Sequence, residues 1–352
     1  MPTETESPSQ ACWSQDRPDS LAPPLAEPPY FDATLDAWVF SRYADIVTAL
    51  RVPSLVPASV RNRAPQPPLD REQHRRMRAE TFAALPASQL RTWKKHLAGH
   101  AEELVHKLPE DRPVDLLAEY AHPLCLSIAA TVTRIQHDEA IKLCPKARLV
   151  STAAADPYNA VLRSAANSAD AELRPCFPAD GPESLRDLGF VALSQTLPAL
   201  LGNTWFALLE HPEQWQRLHL HPGLIKPAIE ELMRYAGFTR TVTRLATADV
   251  RIGETHIHKD QRIVLRLVAA NRDPVSFPQP NQIDFARRVP GHLSFGAGLH
   301  ACVGARLLRM IALTLTSSLL SRFAEARLAG EISWEGGATF LTPQRLRVHL
   351  RR

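Results

Sequence analysis

The sequence predicts a mainly α-helical protein with small β-sheets. Apolar residues recur at helical spacing in two long runs, 184–210 and 305–323. A third stretch, 248–268, alternates around Gly253 as the strands of a hairpin do. We therefore expect helices to form most of the fold and strands to be few and short.

Length and composition favour one large domain. The chain has 352 residues, 45% of them hydrophobic, which is enough for a sizeable core. Residues 1–29 are rich in proline, serine and acid and are predicted to be flexible, and 30–352 show no repeat or second domain. The 41 basic and 37 acidic residues give a net charge of +4 without a long basic run, so nothing indicates nucleic-acid binding.

The spacing of the cysteines and the first residues of the chain indicate the cellular compartment. The 5 cysteines are widely spaced, and no CxxC pair occurs, so neither a disulfide framework nor a zinc site is expected. The first residues carry neither a basic nor an apolar leader region, and no stretch reaches the ~18–20 apolar residues of a membrane span. These features predict a soluble cytoplasmic protein that does not bind a membrane.

The remaining elements follow from local patterns. Residues 37–43 read as a short strand leading into a helix at 44–51, and the proline-rich stretch 52–69 reads as a loop. A helix is predicted to open at Asp70, and helices with apolar faces fill 88–136. Residues 137–181 are weakly patterned and contain several prolines.

The most informative stretch lies between His292 and Gly304. Two glycines flanking Ala297 allow a tight turn that lies close against a flat partner. Cys302 comes just before the helix predicted at 305–323, where free backbone N–H groups and the helix dipole favour a thiolate. Such a thiolate on a rigid loop is a suitable axial ligand for haem iron, although a buried structural cysteine would be the usual interpretation of a single cysteine.

The full pattern from Phe295 to Gly304, F-G-x-G-x-H-x-C-x-G, resembles the haem-ligand loop of the cytochrome P450 family. The resemblance is dense over 201–323, moderate over 37–82 and poor over 137–190. It implies the cytochrome P450 fold and a haem b cofactor whose iron is bound by Cys302. It also implies cofactor contacts from the loop residues Phe295, Gly298, His300 and Gly304, with Phe295 shielding the sulfur.

Further positions match motifs of the same family. His74 and Arg78 lie four residues apart and so share a helix face; this could be a solvated basic face, but it matches the H-x-x-x-R pair that binds haem propionates. Arg244 matches another propionate-binding arginine. The sequence Glu231-x-x-Arg234 is weak as a motif alone; its family counterpart forms a buried structural network with a later arginine, which Arg287 matches.

The central helix departs from the family pattern. Family members commonly carry A-G-x-[D/E]-T there, and this chain reads Ala192-Leu-Ser-Gln-Thr196. Thr196 is retained and is predicted to be catalytic together with Gln195, whereas Ala192 is predicted to face substrate. Gln195 cannot release and regain a proton as a carboxylate does, so a proton relay would use Thr196, Ser194, water or the substrate. We expect Pro198, which lacks an N–H, to open the helix where the family glycine acts.

Arg240 is unusual because the matching family segment is commonly apolar. The residue is interpreted either as a solvated charge or as a ligand for an anionic group of the substrate.

The resemblance supports three hypotheses. The first is a haem-thiolate monooxygenase that uses O2, takes electrons from a ferredoxin and its reductase, and tailors a small secondary metabolite, free or bound to a carrier protein. The second keeps the haem but changes the chemistry, to peroxide use, oxidative coupling or rearrangement, because the acid and glycine are absent. The third is a non-catalytic helper protein, against which the presence of Cys302 argues.

Overall fold

A computed structural model describes the fold of most of the chain. The residues described are 27–58, 71–156, 159–180, 182, 185–287 and 291–352. The flexible segment predicted for 1–29, most of the 52–69 loop, the helix opening at Asp70 and the start signal at Ser184 therefore lie largely or wholly outside the described residues.

Helices form most of the described structure, as predicted. They are α1 (Tyr43–Arg51), α2 (Arg71–Ala83), α3 (Ala87–Lys107), α4 (His122–Thr133), α5 (His137–Ala155), α6 (Ala160–Leu173), α7 (Asp187–Val191), α8 (Leu197–Leu209), α9 (Pro212–Leu220), α10 (Ile225–Ala236), α11 (Leu267–Ala270) and α12 (Ala305–Arg322). Two π-helical turns, Leu117–Ala121 and Ala192–Thr196, precede α4 and α8. No helix in the described part of the chain is both long and apolar enough to cross a membrane.

The strands are short and form small sheets. They are β1 (Tyr30–Asp32), β2 (Ala37–Phe40), β3 (Leu55–Pro57), β4 (Val114–Asp115), β5 (Thr241–Ala246), β6 (Val250–Ile252), β7 (Thr255–Ile257), β8 (Arg262–Arg266), β9 (Glu325–Leu328), β10 (Trp334–Gly336), β11 (Leu341–Pro343) and β12 (Arg347–Arg351). A five-stranded sheet has the order β1-β2-β8-β5-β3. Only the pairing of β2 with β8 is parallel in that sheet. A three-stranded sheet has the order β4-β12-β9, and β6 with β7 and β10 with β11 form two-stranded ribbons.

The hairpin predicted over 248–268 is only partly formed. Strands β6 and β7 pair around Gly253, which has φ 57°, so the turn is where the pattern placed it. Strand β8 instead leaves the hairpin and lies between β2 and β5. Its interior residues Ile263, Val264 and Leu265 are buried, because both of its edges are paired and both of its faces are covered.

The central core is helical. The C-terminal helix α12 packs on α3, α10 and α8, and its leucines at 307, 315, 319 and 320 are buried as their spacing predicts. Helix α8 is apolar on all sides, with Trp205 fully buried and donating from Nε1 to Thr316 Oγ1 of α12 at 2.9 Å. Helix α8 is therefore enclosed by the rest of the fold, and it fixes the distance between the Cys302 loop and the segment that carries Thr196.

The weakly patterned region 137–181 contains two helices, α5 and α6, packed against each other. Pro145 lies inside α5. The alanines on their facing sides are small enough for close helix packing, so tertiary contact stabilises two helices that the sequence pattern indicates only weakly.

The long helix predicted over 184–210 is interrupted. It consists of α7, the π-helical turn Ala192–Thr196 and α8, and Leu197 N–H donates to Ala192 O as a π-turn requires. Pro198 follows directly in the first turn of α8. The opened turn thus lies where Pro198 withholds an N–H from the preceding carbonyls, as expected from the sequence.

Candidate active site

The Cys302 loop is held by its own backbone. Gly296 and Gly298 have φ angles of 67° and 69°, which only glycine adopts readily. A side chain at Gly298 would also overlap the backbone carbonyl of Leu50. Cys302 N donates to Phe295 O at 2.8 Å and closes the loop. These contacts place the sulfur at a fixed point before helix α12.

Cys302 is exposed to a cavity, and desolvation by the surrounding chain raises the pKa of its thiol. The backbone N–H groups of Gly304 and Ala305 and the charges of Arg309 and Arg78 oppose this shift without outweighing it. The amides at the helix start therefore act in the direction that the sequence predicts, and burial opposes them more strongly. A cation bound in the cavity would stabilise the anionic form.

The cavity beside Cys302 has a volume of about 240 Å³. Its wall is mostly apolar and comes from the loop, the central helix and strand β5. The lining includes Leu50, Ala192, Thr196, Leu197, Leu200, Phe238, Val242, Arg244, Phe295, His300, Cys302 and Phe340. The cavity thus joins the predicted ligand Cys302 to the predicted catalytic residue Thr196 and to Ala192.

One side of the cavity is basic. Arg78 Nη1 donates to Ala301 O at 2.6 Å, and the rings of His74 and His300 lie 4.5 Å apart. Burial, with the nearby cations His74, Arg244 and Arg78, lowers the pKa of His300 to about 4. Burial also lowers the pKa of Arg244 to about 10. These four residues, all predicted to contact the cofactor, therefore lie together.

This basic cluster suits a dianionic ligand. Arg244 Nε and His74 Nδ1 are buried and have no hydrogen-bond partner among the described residues. No Asp or Glu of the described chain contributes to the pKa shifts of His74, Arg78, Arg244 or His300. A buried arginine without a counter-charge is destabilising, and Arg78 lies in the same cluster, so these two guanidinium groups fit a ligand that carries carboxylates. The propionates of haem have that chemistry, and Cys302 supplies a sulfur ligand from the same cavity.

Glu231, Arg234 and Arg287 form one buried network. Arg234 donates to both carboxylate oxygens of Glu231 at 2.8 Å, and Arg287 Nε donates to Glu231 Oε1 at 3.0 Å. The two arginines also donate to backbone carbonyls of the segment 278–282 and of Asn271. Asn271 Oδ1 in turn accepts from Leu293 N at 2.6 Å. The network therefore extends to the start of the Cys302 loop.

A second support of the loop was not found from the sequence. Arg309 of α12 lies over the ring of Phe295, 4.5 Å from its centroid, and donates to Glu230 Oε1 at 2.7 Å. Burial alone would raise the pKa of Glu230, but hydrogen bonds and charges of His292 and Arg309 lower it to about 2. No local sequence pattern predicts that Glu230 supports the loop, because its partners His292 and Arg309 are distant from it in the chain.

The residues of the π-turn divide between two cavities. Thr196 lines both the Cys302 cavity and a second cavity of about 290 Å³, whereas Gln195 lines only the second. Gln195 Nε2 donates to Ser194 Oγ at 3.3 Å, and Ser194 Oγ donates to Phe190 O at 2.7 Å. Ser194 is buried, so of the two hydroxyls only that of Thr196 reaches the cavities.

Arg240 is not a solvated charge, and that interpretation is wrong. Its side chain is 8% exposed, and burial and the nearby Arg266 lower its pKa. It is not among the side chains that line the Cys302 cavity, where Arg244 lies instead. Its backbone N–H donates to Thr339 O at 2.8 Å, and its carbonyl accepts from Val268 N at 3.3 Å.

Comparison with known proteins agrees with this arrangement. The family model "Cytochrome P450" matches residues 213–330. The chain is similar to cytochrome P450 107B1 of Saccharopolyspora erythraea, at 28% identity over 90% of each chain. It is also similar to nocardicin C N-oxygenase of Nocardia uniformis subsp. tsuyamanensis, at 27% identity over 93% of this chain and 94% of the relative.

A solved structure shares the fold. The crystal structure of P450BioI, in complex with an acyl carrier protein ligated to hexadec-9Z-enoic acid, superposes with a TM-score of 0.84. It covers 92% of this chain and 96% of P450BioI at 22% identity. The relatives and the solved structure match nearly the whole chain, and the family model includes the Cys302 loop. The chain belongs to the cytochrome P450 family and is a monooxygenase of that family.

Proposed function

We propose that this protein is a haem-thiolate monooxygenase with Cys302 as the axial ligand of haem b. The observation that supports this most strongly is the single cavity that combines the Cys302 sulfur with a basic cluster lacking acidic partners. Haem iron bound by a thiolate supplies the activation of O2. The test is the absorption spectrum of the reduced, haem-loaded protein under carbon monoxide, which should show the band typical of thiolate ligation.

The chain's own residues would position the cofactor. Cys302 would bind the iron, and its Gly304 and Ala305 amides would hydrogen-bond to the sulfur. His74, Arg78, Arg244 and His300 would hold the propionates. Gly298 would let the loop lie flat against the ring, and Phe295, fixed by Arg309, would keep water from the sulfur.

Thr196 is proposed to deliver protons. Its hydroxyl lies at the junction of the Cys302 cavity and the second cavity, so water in the second cavity could exchange protons with it. The Gln195 amide would orient that water without titrating. Ala192 would present a small surface to the substrate.

The substrate is proposed to be a small organic molecule in a tailoring step, free or bound to a carrier protein. The relative named nocardicin C N-oxygenase and the P450BioI complex with an acyl carrier protein support this choice. Electrons would come from a separate ferredoxin and its reductase.

Replacing Arg244 with leucine tests the cofactor site. We expect haem affinity to fall about 10-fold, because a charge-assisted hydrogen bond is lost. The haem-free variant should unfold with a free energy about 1 kcal/mol higher than wild type, because a buried uncompensated charge is removed. Haem titration and urea unfolding measure the two effects. The exposed Arg251→Ala change should alter neither, and unchanged haem affinity in Arg244→Leu would contradict the assignment.

A pair of changes on the π-turn tests the proton route. Thr196→Val should release more hydrogen peroxide per NADH consumed, with product formation down at least about 10-fold, because the hydroxyl is lost. Gln195→Glu should change the rate less than about threefold. An increase of about 10-fold or more in Gln195→Glu would show that the missing acid limits the wild type. That result would favour the second hypothesis, in which the haem performs different chemistry.

A further inference from the structure

The second cavity, on the Gln195 side of the central helix, is more polar than the Cys302 cavity. Besides Gln195 and Thr196 its wall includes charged and hydrogen-bonding side chains from helices α4 and α5 and from the β10–β11 ribbon. These are His122, Arg148, Ser151, Thr152, Asp156, Glu335, Thr342 and Gln344. Phe238, Phe340 and Thr196 line this cavity and the Cys302 cavity alike, so the two cavities are adjacent.

Asp156 is the residue of this wall whose charge is not compensated. Its side chain is half-buried, and among the described residues no hydrogen bond reaches its buried Oδ1. A buried carboxylate edge without a donor is costly, and native structures rarely keep one without a reason. The open side of this carboxylate is the cavity.

The position of Asp156 is set by backbone packing. Asp156 follows the last residue of α5, Ala155, whose carbonyl accepts from Thr339 N at 3.0 Å. A Cβ on Gly337 would lie 2.7 Å from that carbonyl oxygen and 3.0 Å from Asp156 Cβ. The close approach of the ribbon to the end of α5 therefore holds the carboxylate at the cavity wall.

The other charges of the wall cancel. Arg148 Nη2 lies 3.4 Å from Glu335 Oε2, so these two form a pair. Burial lowers the pKa of His122; Asp115 opposes that shift and Arg148 adds to it. His122 is then largely neutral at neutral pH, and Asp156 leaves the wall with one net negative charge.

We propose that the second cavity binds a protonated amine of the substrate, with Asp156 as its counter-ion. The rest of the substrate extends past Phe238 and Phe340 to Thr196 and the Cys302 cavity. This assignment rests on the proposed function and adds the substrate class: an organic amine whose reacting carbon lies away from its nitrogen.

The experiment compares three eight-carbon probes on the haem-loaded protein: octylammonium, 1-octanol and octanoate. Calorimetry gives the affinities, and the ferric absorption spectrum gives the orientation. Octylammonium should bind at least about 10-fold more tightly than 1-octanol, since a charge-assisted hydrogen bond is gained. It should shift the spectrum to high spin, because its nitrogen is held away from the iron.

The variants are Asp156→Asn and the matched control Asp138→Asn, an exposed carboxylate at the other end of α5. Asp156→Asn should lose about 10-fold in octylammonium affinity and keep its 1-octanol affinity, and its octylamine spectrum should change to the low-spin form of an iron-bound amine. Asp138→Asn should behave as wild type. Equal binding of octylammonium and 1-octanol by the wild type, tighter binding of octanoate, or equal behaviour of the two variants would overturn the inference. A normal carbon monoxide spectrum in those samples would leave the proposed function intact.

Discussion

Replacing Cys302 with alanine is expected to abolish the thiolate-type carbon monoxide spectrum and all monooxygenase activity. Among the described loop residues that line the Cys302 cavity, Cys302 and His300 carry the side chains able to bind iron. The basic cluster remains in this variant, so haem should still bind, with a spectrum typical of a nitrogen or water ligand. Absorption spectroscopy and haem quantification separate loss of the ligand from loss of the cofactor.

The control for this change is Cys176→Ser, at a partly buried cysteine after helix α6. It should retain the wild-type spectrum, since Cys176 Sγ donates to the carbonyl of Glu172 and does not line the Cys302 cavity. Full activity and an unaltered spectrum in the Cys302→Ala protein would refute haem-thiolate function for this chain.

Replacing Glu231 with alanine is expected to lower the free energy of unfolding by about 3–5 kcal/mol. Glu231 is 5% exposed and Arg234 is 2% exposed, so the change leaves two arginines buried without their counter-charge. Because Asn271 links the network to Leu293, the Cys302 loop should loosen and haem occupancy should fall as well. Urea unfolding and the haem-to-protein ratio measure the two effects.

Two further variants make this prediction specific. Arg234→Lys keeps the charge but loses the two-pronged bond to Glu231, so its loss of stability should be intermediate. Glu213→Gln, at an exposed carboxylate of α9, should leave the free energy of unfolding within about 0.5 kcal/mol of wild type. A Glu231→Ala protein as stable as Glu213→Gln would show that the network does not hold the loop.

The resemblance to the cytochrome P450 family indicated which residues gather around Cys302, whereas the sequence by itself determined the helical class and the loop that carries this cysteine. Local reasons suffice for these features: leucines of α12 repeat at helical spacing, and Gly296 and Gly298 permit a turn that other residues resist. The π-turn before α8 was also predictable, because the missing N–H of Pro198 acts on its own neighbours in the chain.

The tertiary structure alone decided the charges and the cavities. Arg240 was expected either in solvent or at the substrate and is buried outside the Cys302 cavity, and burial raises the pKa of Cys302 against the effect of the helix start. Helices α5 and α6 were only weakly indicated by the sequence pattern. The position of Asp156 depends on the β10–β11 ribbon, which packs against the end of α5. Burial and electrostatic fields depend on residues that are distant in sequence, so no local pattern could specify them.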